Sequence, residues 1–422
     1  MSADQIAAII IFVITMAAII TNKVNNTLAA VSGAILLVLT HILSIEDCVG
    51  FIDAETIGIL VGMMLMVSVI KTSGIFEYIA IKSAKLAKGR PWPIMVVFIT
   101  ITAVLSGLLD NVTTILLVGP MTLAITNILE VDPVPYMLTQ IMASNAGGTA
   151  TLIGDPPNIM IGTAANLSFM DFIQNTGAAV VLVMIVSIVC YRFIYRKSLT
   201  VDEKNIQKVM QLDEHKSIKD KRLMAESIIV LVLVAVAFIF HSQLHVTSAT
   251  IALTAACIMM FLGKEDPEDV IINVEWSTIL FFIGLFIVVG ALDKVGIIKI
   301  LAHGLMNLTG GNMVFTMMLI LWISALISSF LNNIPFVATL IPMILTMQAS
   351  GVHAEPLWWA LSMGACLGGN GTLIGASANV VLAGISKNAG YPISFGKYFK
   401  VGFPMMLVSI SVCSIFLLIK FA

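Results

Sequence analysis

Two aspartates of this 422-residue chain lie inside strongly apolar stretches, where a carboxylate is costly. Asp110 sits in LLDNVTTILLVGPM, and Asp155 sits in NAGGTATLIGDPPN, which is rich in glycine, proline and asparagine. An aspartate at the centre of a bilayer costs about 2.5–3.5 kcal/mol on the insertion scale, so such residues mark ion or proton pathways. Two carboxylates that lie close together rarely ionise at once. The pair therefore predicts a site for a proton or a small cation.

The composition places these residues in a membrane protein. Hydrophobic residues make up 59% of the chain and charged residues only 11%, against about 25% charged in soluble domains. The mean hydropathy is +1.03. No phosphate-binding GxxxxGK[ST] loop occurs, and the five cysteines form no CxxC pair. We expect an integral, multi-pass protein of the cell membrane that is not an enzyme and has neither a cofactor nor a nucleic-acid partner. Apolar runs of bilayer length lie at 4–21, 27–43, 55–71, 172–192, 223–241, 246–262, 275–292 and 398–420.

The chain is an internal duplication. LLDNVTTILLVGPM (108–121) matches FLNNIPFVATLIPM (330–343) at an offset of 222 residues, which also joins Gly62 to Gly284. GGTATLIGDPPN (147–158) matches GGNGTLIGASAN (368–379) at an offset of 221. Several blocks in one order with near-constant spacing indicate a repeat. We predict a first repeat at 1–195, a charged cytoplasmic linker at 196–222 and a second repeat at 223–422.

The number of crossings predicts that the repeats are inverted. Each half contains three crossings, a hairpin (91–129 or 312–350), an interrupted crossing and a final crossing. The hairpin adds no net crossing, so each half crosses the membrane five times. Because five is odd, the second half must be upside down relative to the first. With both termini outside, nineteen of the 22 Lys and Arg residues fall on the inner side, as the positive-inside rule requires. Residues 75–90 predict an amphipathic helix in the inner interface, an arm with a counterpart at 297–309. An alternative is that Asp110 caps a surface turn, because each arm of 91–129 is long enough to span.

The Gly-rich interruptions predict where the ligands bind. Irregular backbone at membrane depth is tolerated only inside protein or beside water, and matching interruptions in inverted repeats point to a transporter binding site. Asp155 precedes Pro156 and Pro157, so it could also cap a helix. Asn332 stands opposite Asp110 and Ala376 opposite Asp155. We therefore predict an acidic site for the coupling cation in the first half and a neutral amide site in the second.

These paired blocks resemble the ion transporter superfamily, over essentially the whole chain. That superfamily includes ArsB-type arsenite permeases, NhaD-type sodium/proton antiporters, the P protein and divalent-anion/sodium symporters, and the similarity is greatest to the P-protein and ArsB-like branch. The resemblance implies re-entrant hairpins with tips at Asp110–Thr113 and Asn332–Pro335, a homodimer, and an elevator-like movement. The symporters carry Ser-Asn-Thr at both tips. In this chain the tips read Asp-Asn-Val-Thr and Asn-Asn-Ile-Pro. This difference argues against dicarboxylate transport and favours cation or proton chemistry.

The resemblance also implies a set of ligands. Sodium near Asp110 and Asp155 is the only metal expected; His241 and His245 are four residues apart but are not expected to bind one. Any of the threonines could instead bond only to its own backbone. The first site is predicted to use Asp110, Asn111, Thr113, Thr114, Thr149, Thr151, Asp155 and Asn158, and the second Asn332, Asn333, Asn370, Thr372 and Asn379. The glycines expected to give close approach and a hinge are Gly147, Gly148, Gly154, Gly368, Gly369 and Gly375.

The predicted fold is thus an all-α polytopic membrane protein of two inverted repeats, with about ten crossings and two re-entrant hairpins. The predicted function is secondary active transport of a small inorganic anion or arsenite-like solute, coupled to H⁺ or Na⁺. Sodium/proton antiport is the main alternative. An intramembrane aspartyl protease would need a GxGD motif, in which Leu152 replaces the first glycine. A passive channel would show no counterflow of labelled solute.

Overall fold

The computed structural model describes residues 1–21, 24–196, 199 and 201–422, and within these ranges every regular element is a helix. Nine of the described helices are long and apolar enough to cross a bilayer. The expected all-α polytopic membrane fold is confirmed. Lys23 and Lys197, which the predicted orientation places inside, and residues 198 and 200 of the predicted linker lie outside the described residues.

The first half ends in a long helical stretch that a π-helical turn at Ile173–Gly177 interrupts. Its helices are α1 (Ala3–Thr21), α2 (Asn26–Leu39), α3 (Ile45–Phe51), α4 (Ala54–Thr72), α5 (Ile75–Leu86), α6 (Pro91–Leu108), α7 (Asn111–Leu129), α8 (Val134–Thr149), α9 (Pro156–Ala165), α10 (Phe169–Phe172) and α11 (Ala178–Ile194).

The second half repeats this order after a short linker helix, α12 (Glu203–Met210). Helices α1–α9 correspond in sequence to α13–α21, and α10 with α11 corresponds to α22. The helices are α13 (Lys221–Leu244), α14 (Ser248–Gly263), α15 (Pro267–Ile272), α16 (Trp276–Lys294), α17 (Ile297–Thr309), α18 (Met313–Phe330), α19 (Asn333–Ala349), α20 (Glu355–Gly368), α21 (Ser377–Asn388) and α22 (Phe395–Phe421).

Equivalent helices of the two halves make equivalent contacts across the molecule. Helix α4 packs on α14 as α16 packs on α2, and α7 packs on α21 as α19 packs on α9. A Cβ on Gly62 would lie 2.6 Å from the carbonyl carbon of Ala252, and one on Gly284 would lie 2.7 Å from that of Ala30. Glycine therefore allows the paired backbones to touch, the usual way in which membrane helices pack closely.

Short turns and breaks interrupt the regular helices at matching places. Only Leu109 and Asp110 separate α6 from α7, and only two residues separate α18 from α19. Helix α8 stops at Thr149 and α9 begins at Pro156, while the equivalent gap separates α20 from α21. A Cβ on Gly368 would lie 2.7 Å from Cα of Ala325, so this glycine provides close approach. None of the six described glycines predicted to act as hinges has a positive φ.

The arm helices are where predicted, but the described linker is packed on the first of them. The Lys85 ammonium lies 2.6 Å from the Glu214 carboxylate, and the carbonyl of Ser73 accepts the backbone N–H of Lys219 at 3.0 Å. Asn205 of α12 donates to the last carbonyl of α7 at 3.3 Å. The linker therefore joins the α5 arm to the end of α7 in the first hairpin.

Candidate ion-binding site

The two hairpin tips and the two helix breaks meet at one small cavity of about 50 Å³. The turn before α7 and the start of α9 come from the first half, and the starts of α19 and α21 come from the second. Helices α4 and α16 close one side. A cavity of this size holds a few water molecules or one small ion. Its lining is Leu60, Met64, Asp110, Asn111, Val112, Asp155, Pro156, Glu275, Thr278, Asn333, Ile334, Ala376, Ser377 and Ala378.

The structure combines members of the two predicted sites in this one cavity. Asp110, Asn111 and Asp155 of the first site line it together with Asn333 of the second. The other predicted ligands lie around the tips and breaks and do not line it; they are Thr113, Thr114, Thr149, Thr151, Asn158, Asn332, Asn370, Thr372 and Asn379.

Asp155 faces across the interface between the halves. It is 2% exposed, and its two carboxylate oxygens lie 3.3 and 3.4 Å from Nδ2 of Asn333, which donates to them. Asp155 stands at the N-cap position of α9, yet among the described residues its side chain accepts no capping hydrogen bond. Capping alone therefore does not account for this carboxylate.

Asp110 does cap its helix, and it also lines the cavity. One carboxylate oxygen accepts the backbone N–H of Thr113 at 2.9 Å, and the other accepts the hydroxyl of the same residue. The Thr113 hydroxyl is therefore occupied by Asp110. Capping stabilises α7 while leaving the rest of the carboxylate's acceptor capacity for a ligand.

Glu275 is a third carboxylate of the cavity, and it was not among the residues predicted from the sequence. It stands immediately before α16, half-buried, and accepts the hydroxyl of Thr278 at 3.0 Å. Its repeat equivalent, Asp53, accepts the hydroxyl of Thr56 at 2.5 Å. The shared acid-x-x-Thr pattern at the offset of 222 was the signal that could have found it.

Two predicted ligands, Asn158 and Asn379, instead hold the breaks together. Nδ2 of Asn158 donates to the carbonyls of Gly148, Thr149 and Thr151 at 3.1, 3.2 and 2.9 Å. Nδ2 of Asn379 donates in the same way to the carbonyls of the second break, at 2.7 and 2.9 Å. Both side chains are fully buried, so they satisfy carbonyls that the interrupted helices leave free.

The predicted threonines have mostly local partners. Thr151 donates to the carbonyl of Gly107 at 2.6 Å, and Thr372 donates to the equivalent carbonyl in the second hairpin. Thr149 bonds to its own helix, whereas the buried Thr114 hydroxyl has no partner in the described chain. Asn332 donates to Ser377 Oγ at 3.2 Å and lines a neighbouring cavity.

The family of the chain follows from comparison with known proteins. Residues 16–364 match the family described as citrate transporter (CitMHS). The chain belongs to the citrate transporter family. This transporter is therefore not expected to act as an enzyme, and the aspartyl protease alternative is wrong. The predicted membrane localisation is confirmed, whereas the orientation of the termini stays a prediction.

Relatives and a solved structure support the same assignment. The transporter is 40% identical to a 46 kDa membrane protein of Mycobacterium leprae (strain TN), over 99% of both chains. It is 33% identical to the human P protein, over 96% of its own length and 58% of that protein. The YdaH transporter of Alcanivorax borkumensis shares its fold with a TM-score of 0.65 and 14% identity, covering 99% and 98% of the chains. The resemblance to the ion transporter superfamily is confirmed.

The cavity adjoins a vestibule that is several times larger. A vestibule of about 430 Å³, lined by Lys71, Lys219 and Asn273, shares Met64 and Glu275 with it. A different cavity of about 520 Å³ is lined by Glu55, His241 and His245 and shares no lining residue with it. The lysine-bearing vestibule lies on the side that the basic residues predict to be cytoplasmic.

Proposed function

We propose that this transporter is a secondary active carrier that couples H⁺ or Na⁺ to a small inorganic anion or an arsenite-like solute. One observation carries the proposal. Three carboxylates line the cavity, and none of its fourteen lining residues is Lys, Arg or His. Such a lining attracts protons and small cations, and carboxylate and amide oxygens suit hard cations. The coupling cation binds at Asp110 and Asp155.

The lining also limits the solute. A citrate ion, for which the family is described, would be repelled by three carboxylates unless cations neutralised them first. Arsenite is uncharged at neutral pH and needs only hydroxyl and amide partners. Asn111, Asn333 and Ser377 offer such groups in the cavity. An uncharged arsenite-like solute therefore suits this lining best, and a small inorganic anion, like citrate, would need cations to neutralise the carboxylates first.

An asymmetry between the repeats supports alternating access. Glu275 lines the cavity with Asp110, whereas its equivalent Asp53 is bonded to the start of its own helix. The hairpin tips meet breaks that lie inside crossings, which favours re-entrant hairpins over a surface turn at Asp110. Exchanging the roles of the repeats would open the cavity to the other side. We propose that the hairpins and broken helices make this elevator-like movement within a homodimer, against a scaffold surrounded by lipid.

Sodium/proton antiport is the second candidate. The observation that favours it is the size of the cavity, which at about 50 Å³ suits a proton or one cation without a second solute. The same carboxylates would then carry both ions in turn.

Purified protein in liposomes that contain a pH dye tests the proposal. Gradients of NaCl, arsenite and citrate are imposed in turn on the wild type, Asp110→Asn and Asp155→Asn, with Asp4→Asn as a control far from the cavity. We expect a solute-dependent pH or sodium-coupled signal that both cavity variants lose and the control keeps. A sodium-driven pH change without any solute would favour antiport. Equal signals in wild type and both cavity variants would refute the acidic site, and absence of labelled-solute counterflow would indicate a channel.

A further inference from the structure

Asn145, in the polar stretch that interrupts the first repeat, has a buried side chain with no role in the proposed transport. It lies on α8, is fully buried and contacts both halves. Its Nδ2 donates to Oδ1 of Asn370 at 2.8 Å and to Oδ1 of Asn379 at 3.0 Å. Its Oδ1 accepts from Nδ2 of Asn111 at 3.3 Å. One amide thus joins the first hairpin tip to the second helix break.

The orientations of the neighbouring amides are fixed, so this bridge cannot turn over freely. Asn379 uses its Nδ2 on two carbonyls of the second break, which leaves its Oδ1 to face Asn145. Oδ1 of Asn111 accepts the hydroxyl of Ser106 at 2.5 Å, which leaves its Nδ2 to donate to Asn145. Rotating the Asn145 amide would set like groups against one another, at the high cost of unsatisfied buried polar groups.

The second repeat has no asparagine at the position equivalent to Asn145. The repeat offset of 221 places Cys366 of α20 where Asn145 stands on α8. Its thiol lies 3.5 Å from Oδ1 of Asn158 and also interacts with Asp155 and Thr149, but a thiol is a weak donor. At this position of the repeat, the amide connection therefore runs only from the acidic half to the second break, and the bonds in the other direction use different residues, Asn333 to Asp155 and Ser362 to Asn158.

We propose that Asn145 is a positioning residue that couples cation binding in the cavity to the second helix break. Asn111 lines the cavity. An ion or solute that binds the Asn111 amide therefore changes the hydrogen bond that Asn111 donates to Asn145. The hydrogen bonds that Asn145 donates to Asn370 and Asn379 then change as well. Occupancy of the cavity by the cation thereby changes the second break, whose last residue, Ala376, lines the cavity beside Ser377. This inference rests on the proposed cation-coupled function.

The test separates coupling from movement. Full-length protein in liposomes is supplied with labelled arsenite or labelled citrate under imposed sodium and pH gradients. Accumulation of the label requires coupling, whereas counterflow without a gradient requires only binding and movement. The variants are Asn145→Cys, which uses the residue that the second repeat already has at this position, and Asn145→Ser. Gln140→Met is the control, because Gln140 is equally buried on α8 and makes one bond to Thr122 at 2.8 Å away from the cavity.

We expect both Asn145 variants to keep counterflow within about twofold while their accumulation ratio falls about fivefold or more, the lower range of coupling between sites. The control should keep both. Undiminished accumulation in the variants would overturn the role of Asn145. Parallel loss of counterflow and accumulation in both would also overturn it, because Asn145 would then be merely structural. Absence of gradient-driven accumulation in the wild type would instead refute the proposed function, and the inference with it.

Discussion

Replacing Asn158 by alanine distinguishes a residue that holds the break from a residue that binds an ion. The two N–H groups of Asn158 serve three carbonyls, and its Oδ1 accepts the hydroxyl of Ser362 at 2.6 Å. A buried hydrogen bond contributes about 0.5–1.5 kcal/mol net in water-soluble proteins and about 0.6 kcal/mol on average between membrane helices. Losing two donated bonds, one for each N–H, and the bond accepted from Ser362 predicts that Asn158→Ala lowers the free energy of unfolding by about 2–4 kcal/mol.

Asn158→Asp sharpens the same prediction, although aspartate has almost the same shape. It removes both donors and turns a carboxylate toward the break carbonyls, so like partial charges face one another. We therefore expect Asn158→Asp to destabilise the protein more than Asn158→Ala does. Simple loss of volume would give the reverse order.

Detergent titration of the purified protein, followed by circular dichroism, measures both effects. Asn307→Ala is the control, because Asn307 is exposed on α17 and such changes usually stay within about 0.5 kcal/mol. If Asn158→Ala unfolds like the wild type but loses transport, Asn158 binds a ligand and its role in holding the break is refuted.

Three further predictions concern other parts of the structure. Glu275→Gln should weaken the apparent affinity for the coupling cation about tenfold, or ~1.4 kcal/mol, with maximal transport retained; unchanged cation dependence would exclude Glu275 from the site. Gly62→Ala and Gly284→Ala should each destabilise the protein by about 1–3 kcal/mol through overpacking against backbone. Gly304→Ala should not, because no atom lies near its Cβ. Equal melting temperatures for all three variants would contradict the close packing. The Lys85 ammonium holds the pKa of Glu214 below its usual range, so their contact should persist at neutral pH and be lost only as the pH falls through that lowered value. Lys85→Ala should then make the linker easier to cleave at pH 7 by a protease that does not cut after lysine, and Lys88→Ala should not.

The sequence predicts the helical skeleton well because its interruptions are chemically distinct. Glycine, proline and asparagine in apolar surroundings indicate hairpin turns and breaks, and the duplication shows each interruption twice. The arm at 297–309 coincides with α17 at Ile297–Thr309. The predicted tips, Asp110–Thr113 and Asn332–Pro335, each contain the last residue of a turn and the first three residues of α7 or α19.

The side-chain partners could not be predicted in the same way. Asn158 and Asn333 are both asparagines beside an interruption, yet one bonds to carbonyls of its own half and the other to Asp155 of the opposite half. This difference depends on the rotation of each helix and on a neighbour about 180 residues away. Glu275 was hidden because it begins an apolar run, 275–292, and only the contact between halves brings it to the cavity.

Asp110 and Asp155, the cavity carboxylates on the elements proposed to move, also have an electrical consequence. Each ionised group that crosses the membrane field with a moving domain exchanges about 2.3 kcal/mol per 100 mV with the membrane potential. In the proposed elevator-like movement bound cations neutralise this charge, so the membrane potential opposes an empty carrier in one direction and assists it in the other, but does not act on a neutral loaded one. The steepness with which turnover responds to voltage therefore counts the negative charges left uncompensated during the crossing, and a neutral loaded cavity would make the carrier indifferent to voltage.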